Sequence, residues 1–133
     1  MKNLKLNIEL LPKGAWGNDL SRTLSKKDWD ILRNMCYERF NHKCSICGYK
    51  TEKLDAHEVW DFNLKTKTQT LIDIIALCSE CHGVKHFRNS QRLGFGENAK
   101  RHFMYVNECT ELEFDLCLSK AQIEFEERNK IAV

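Results

Sequence analysis

The chain has 133 residues, 42% of them apolar and 30% charged, with a single proline and a net charge of +2. That length suits one domain with a modest core, and the small positive balance does not by itself mark a nucleic-acid binder. No apolar run approaches membrane-spanning length, so no membrane partner is expected. The charge is nevertheless uneven. Residues 1–50 hold ten Lys/Arg against five Asp/Glu, and residues 111–133 hold three against six. A basic N-terminal region can lie along a phosphate backbone, and an acidic C-terminal helix can turn from DNA or toward a protein. Both segments can equally be solvated helix faces.

Leu4, Leu6, Ile8 and Leu10 alternate with polar residues, the pattern of a short strand or extended arm. Lys5, Asn7 and Glu9 interrupt these leucines, so the segment is not a signal-peptide core, and a cytoplasmic setting is expected. The run from Pro12 to Thr23 reads as an irregular loop anchored by Trp16. Ser25 followed by Asp28 resembles a capping box and opens a helix to about Phe40, with Trp29, Leu32, Cys36 and Phe40 on one face. Two strands follow, Leu54–Phe62 and Thr68–Leu77, joined by the polar segment NLKTKT. A helix is expected over Ser79–Asn89, a break at Gly94 and Gly96, and a helix over about Glu97–Val106. Thr110 and Glu113 cap a last helix to about Asn129, whose stripe is Phe114, Leu118, Ala121 and Phe125. The class is α+β in a single domain: arm, loop and helix (1–43), a metal-stapled ββα core (44–90) and a helical extension (91–133).

Cys44-x-x-Cys47 and Cys78-x-x-Cys81 form two matched pairs, and His82 follows directly. Two such turns supply four sulfurs to one ion, the closed coordination of a structural zinc site. Scattered structural thiols or a redox pair are the alternatives. Cys36, Cys109 and Cys117 lie outside the pairs and are expected to pack as small hydrophobes in a reducing interior. A second constellation surrounds this staple. His82 and His86 are one helical turn apart, so their imidazoles share a face and can bind one cation, while His57 lies mid-strand and Asp73 opens the second strand's apolar run. Singly, His57 can be a packed histidine, His82 a donor to a metal-bound sulfur, and His86 a surface residue.

The stretch from Cys44 to His86 (CSIC, then His57, then DIIALCSECH, then His86) resembles the HNH, or ββα-metal, nuclease family in its four-cysteine, treble-clef form. The flanks LPKGAWGNDLSR, AHEVWDF, CHGVKH and MYVNECTELE resemble bacterial and phage proteins generally labelled HNH-like, so the similarity spans nearly the whole chain. The resemblance implies a metal-dependent endonuclease that hydrolyses DNA phosphodiesters. It would carry a structural zinc and a second divalent ion such as Mg²⁺, Mn²⁺ or Ni²⁺, with double-stranded DNA as partner. Carried over, His57 is the general base, His82 and His86 are metal ligands, and Asp73 orients the base. Arg22, Arg33, Arg39 and Lys85 are candidate nucleic-acid contacts.

Two positions depart from the family pattern. Ala56 stands where a strand metal ligand is usual; Asp55 can substitute, or a shifted register makes His57 the ligand and Glu58 the base. Asp73 replaces an asparagine; bonded to His57 it would favour imidazolium, and it can instead bind metal. These departures sustain the alternative of an inactive zinc module that binds nucleic acid or a protein, for example a phage factor acting on a host enzyme. A third reading is a protein-interaction module presenting its acidic C-terminal helix. Trp60 is expected in the core, with a groove position as the other possibility.

Overall fold

The computed structural model describes residues 4–10, 20–63 and 65–129, and the fold is mixed α+β with a two-stranded antiparallel sheet. Trp16 and most of the expected loop around it lie outside the described residues. The end of that loop is helical, forming α1 (Leu20–Thr23), whose first N–H is taken up by the Glu58 carboxylate. Helix α2 (Lys26–Arg39) begins where Ser25 accepts the Asp28 N–H at 3.1 Å, as the sequence signal predicts. Of its expected apolar face only Cys36 is buried, packed with Leu54 and Ala76 of the sheet.

Strand β1 (Leu54–Asn63) pairs with β2 (Thr68–Cys78), with His57 opposite Ile75 and a bulge between Val59 and Trp60. The hairpin turns where Asn63 accepts the N–H groups of Lys65 and Thr66. Side chains alternate between the two faces. Leu54, Ile74 and Ala76 meet α2, whereas Ile75 and Leu77 join the larger core. Trp60, expected in the core, is half-buried, belongs to neither core cluster, and donates to Glu58 at 3.3 Å.

The helix expected over Ser79–Asn89 is two helices, α3 (Ser79–Lys85) and α4 (Phe87–Arg92), broken at His86 with φ −101° and ψ 54°. Ser90 donates its hydroxyl to the Gly83 carbonyl at 2.7 Å, satisfying an orphan acceptor at the end of α3 and setting the corner. A side chain at Gly83 would meet that hydroxyl at 3.2 Å. Helix α5 (Gly96–Asn107) ends with Glu108 in the left-handed region. Helix α6 (Glu111–Asn129) starts with a reciprocal capping box between Thr110 and Glu113, as expected. Its buried stripe is Phe114, Cys117, Ala121 and Phe125, with Leu118 only partly buried.

Residues 4–10 form an extended arm with Leu6, Ile8 and Leu10 buried in the same core as Val84, Phe87, Phe103 and Phe114. The arm is clasped by Asn107, whose side chain accepts from Lys5 N and Leu6 N at 2.9 and 3.0 Å and donates to Leu6 O at 2.7 Å. A buried amide with three backbone partners leaves those partners unsatisfied when it is removed. Asn107→Ala is therefore expected to destabilise the protein by about 2 kcal/mol, read as a lowered urea midpoint. A loss below about 0.5 kcal/mol would show that the arm is held by apolar burial alone.

Candidate metal centres

The first centre is built from two turns. Cys44 and Cys47 lie on the loop before β1, where Gly48 takes φ 78° and Lys43 bridges Lys50. Cys78 ends β2 and caps α3, accepting the Cys81 N–H at 3.4 Å, and Cys44 likewise receives the Cys47 N–H at 3.5 Å. The four ligand atoms all lie within 4.8 Å of one another. A tetrahedral site with metal–sulfur bonds of about 2.3 Å sets its sulfurs about 3.8 Å apart. The Cys47 and Cys78 sulfurs are 3.7 Å apart. The cluster fits a structural metal such as zinc.

Its electrostatics point the same way. The Cys81 thiol donates to Cys44 and holds it down to about 4, while burial pushes Cys78 up to about 11 and Cys81 is raised by its bond to Cys44. Without a cation the cluster favours a thiolate at Cys44, and a bound cation would offset the penalty on ionising Cys78 and Cys81. Residues far in sequence complete the surroundings. His102 on α5 places Nε2 3.1 Å from the Cys81 sulfur, and its Nδ1 lies 3.2 Å from Glu80. Sequence reasoning missed His102, since nothing in its local pattern distinguishes it from a polar face residue. His102→Ala is expected to weaken zinc binding at the cysteines about 10- to 100-fold, measured by competition with a chromophoric chelator. Unchanged affinity would make this contact incidental.

The second centre is the meeting of His57 from β1 with His82 and His86 from α3 and its corner. Ring centroids are 5.4 Å apart for His57–His82, 5.2 Å for His57–His86 and 4.7 Å for His82–His86. Their ligand atoms also lie within 4.8 Å of one another, near the roughly 3.4 Å separation of tetrahedral nitrogen ligands. His57 is buried at 6% exposure, whereas the His82 side chain is 30% exposed and opens the cluster to solvent. Two carboxylates lie behind the rings. Asp55 Oδ2 is 3.1 Å from His82 Nδ1, and Glu9 Oε2 is 2.6 Å from His57 Nε2. Neither carboxylate belongs to the three-histidine group itself.

Several expected contacts take different partners. Asp73 is not bonded to His57; it forms a bidentate pair with Arg39 at 2.8 and 3.1 Å, because β2 sets it beside the end of α2. The carboxylate on His57 is Glu9, 48 residues upstream. Asp55 contacts His82 from outside the ligand group. Glu58 is engaged by Leu20 N and Trp60 Nε1. Among the proposed nucleic-acid residues, Arg22 is exposed, Arg33 pairs with Asp30 and Arg39 with Asp73. Lys85 is buried at 7% exposure against Asn7 and Glu9, and burial lowers its pKa, so it is an interior cation and not a surface contact. Cys36 and Cys117 are buried thiols raised by burial, and Cys109 packs against the core, as their reading as small hydrophobes expects.

Compared with family models, with curated proteins and with solved structures, the chain matches none. Among the described residues no helix is long and apolar enough to cross a membrane.

Burial, with the neighbouring His82 and His57, lowers His86 from its ordinary 6.5 to about 4. An unfolded histidine takes up its proton near pH 6.5, and the folded one only near 4. With the histidine cluster metal-free, stability is therefore whole above pH 6.5 and falls as the pH drops from 6.5 to 4, by on the order of 3 kcal/mol. Glu9 acts in the same direction below its ordinary 4.5 and Asp55 below its ordinary 3.8. In Glu9, His57 and Lys85 outweigh the burial that would raise its carboxyl; in Asp55, His82 is the chief cause of the lowering. Urea midpoints of protein carrying one zinc equivalent, taken from pH 7.5 to 4.5, test this. A flat profile would contradict it.

Proposed function

We propose that the protein is a metal-dependent endonuclease of the HNH type, with structural zinc at the four cysteines and a divalent cation at His57, His82 and His86. One observation carries the reading: three histidines, from β1, α3 and the corner after α3, converge separately from a four-sulfur cluster. Structural zinc sites use four protein ligands, whereas catalytic ones keep a position open. A cluster of three imidazoles reached through a partly exposed His82 belongs with the second kind.

A divalent cation bound there supplies charge neutralisation at a phosphodiester and acidifies water. The chain's own groups do the rest. His57 takes the ligand role of the shifted register, because Glu9 occupies its Nε2 and its ring meets the other two histidines. Asp55, with a side chain 50% exposed, is the solvent-facing one of the two carboxylates that touch the cluster, and is the group available to take a proton from an attacking water. Around the first cysteine turn Lys43, Lys50 and Lys53 are all exposed, and we assign the phosphate contacts to them in place of Lys85.

The non-catalytic alternative draws on two observations. Asp73, at the family's base-orienting position, and Glu58, the base of the shifted register, are both engaged in holding helices. Helix α6 also exposes Leu112, Leu116 and Ile123 on an acidic helix, which suits a protein partner. Metal analysis and plasmid cleavage with Mg²⁺, Mn²⁺ or Ni²⁺ separate the two readings. The nuclease binds two ions per chain, and His82→Ala retains one while losing at least about 100-fold in cleavage rate. Two bound ions with no cleavage under any of these metals, at enzyme in excess over plasmid, would leave the binding module.

A further inference from the structure

We propose that Glu9, on the N-terminal arm, is a positioning residue of the histidine site: it holds the proton on His57 Nε2, so that Nδ1 is the nitrogen offered to the cation. The inference rests on the cation site proposed above and adds a component to it from outside the ββα core.

The geometry is specific. Glu9 Oε2 lies 2.6 Å from His57 Nε2, with His57 6% and Glu9 21% exposed at the side chain. A carboxylate only accepts, so a bond to it places the hydrogen on that ring nitrogen and leaves the other nitrogen's lone pair free. Asp55 does the same for His82 from Nδ1, which leaves Nε2 of His82 for the metal. Paired carboxylate–histidine contacts are the usual way metal-binding imidazoles are oriented and made more basic.

The arm is built to deliver this carboxylate. Lys85 Nζ is 3.7 Å from Glu9 Oε2 and also bonds Asn7, while Glu9 N donates to Lys85 O at 3.1 Å. A buried lysine beside a partly buried glutamate keeps the carboxylate charged where burial alone would neutralise it. Leu6, Ile8 and Leu10 are locked in the core on alternate positions, and this directs the intervening Glu9 to the other side, toward His57. The histidine site is therefore complete only with the arm docked, and cation binding must stabilise docking in return.

The test uses the full chain with zinc at the cysteines and titrates Co²⁺ into the histidine site, followed by visible absorption. Glu9→Ala is expected to lower Co²⁺ affinity about 10- to 100-fold. Glu9→Gln, which keeps a carbonyl acceptor, should lose less, and both should retain the cysteine-site zinc. In parallel, ¹⁵N NMR of the wild-type imidazoles with Zn²⁺ in both sites should show His57 coordinated through Nδ1 and protonated on Nε2. Coordination through Nε2, or unchanged Co²⁺ affinity in both variants, overturns the proposal and leaves the metal site standing. Should a variant fail to fold, the wild-type NMR assignment decides alone. A wild type that takes up no second cation removes both this inference and the nuclease reading. Glu9-dependent binding without DNA cleavage removes only the latter.

Discussion

Four sulfurs drawn together from two places in the chain set the geometry on which both centres depend. The first pair lies before β1 and the second at the junction of β2 and α3, so one cluster closes a hairpin of thirty intervening residues at its open end. Ser45 N bonds Ala76 O at 2.8 Å and Cys44 N bonds Tyr49 O at 2.9 Å, tying the first turn to the sheet it closes. With that end clamped, α3 must leave β2 in one direction, and β1 must run beside it. His57, three residues into β1, and His82, next to Cys81, then have little choice but to meet. A two-stranded sheet is marginal alone, and a metal bound at the four sulfurs would offset the loop-closure entropy that packing otherwise has to overcome.

Charge is handled by pairing inside this small core. The partly buried Glu9 carboxylate faces both His57 and Lys85 and offsets the desolvation of the lysine, while Asp55 contacts His82 nearer solvent. His102 and Glu80 play a comparable part at the cysteine cluster, linking α5 to a sulfur. Each centre is thus supported by an element outside the ββα core, the arm for one and α5 for the other. Asn107, at the end of α5, holds the arm in turn. The extensions are part of how the two centres are built.

Local signals were the readable part of the chain. Cysteine spacing located the first cluster, the i, i+4 histidines located two of the three members of the second, and the Ser25 and Thr110 caps marked two helix starts. Each of these features is decided within a few residues. The break at His86 was not readable, because Ser90 reaches back to Gly83 only once α4 has turned away. Asp73 followed the same rule. Its position in the strand was clear, but its partner depended on where α2 packs, and Arg39 lay there.

The sequence by itself determined the four-sulfur cluster, the α+β class and the candidate ligands His82 and His86, because turn geometry and helical period bring those groups together over short separations. Only the tertiary structure decided that Glu9 and not Asp73 stands behind His57, and that Lys85 is interior. Those outcomes join residues 48 to 78 positions apart, such as Glu9 with His57 and Asn7 with Lys85. No local propensity encodes such a meeting; it follows from burying Leu6, Ile8 and Leu10 against α3 and α5 and so fixing where the arm's polar side chains can go.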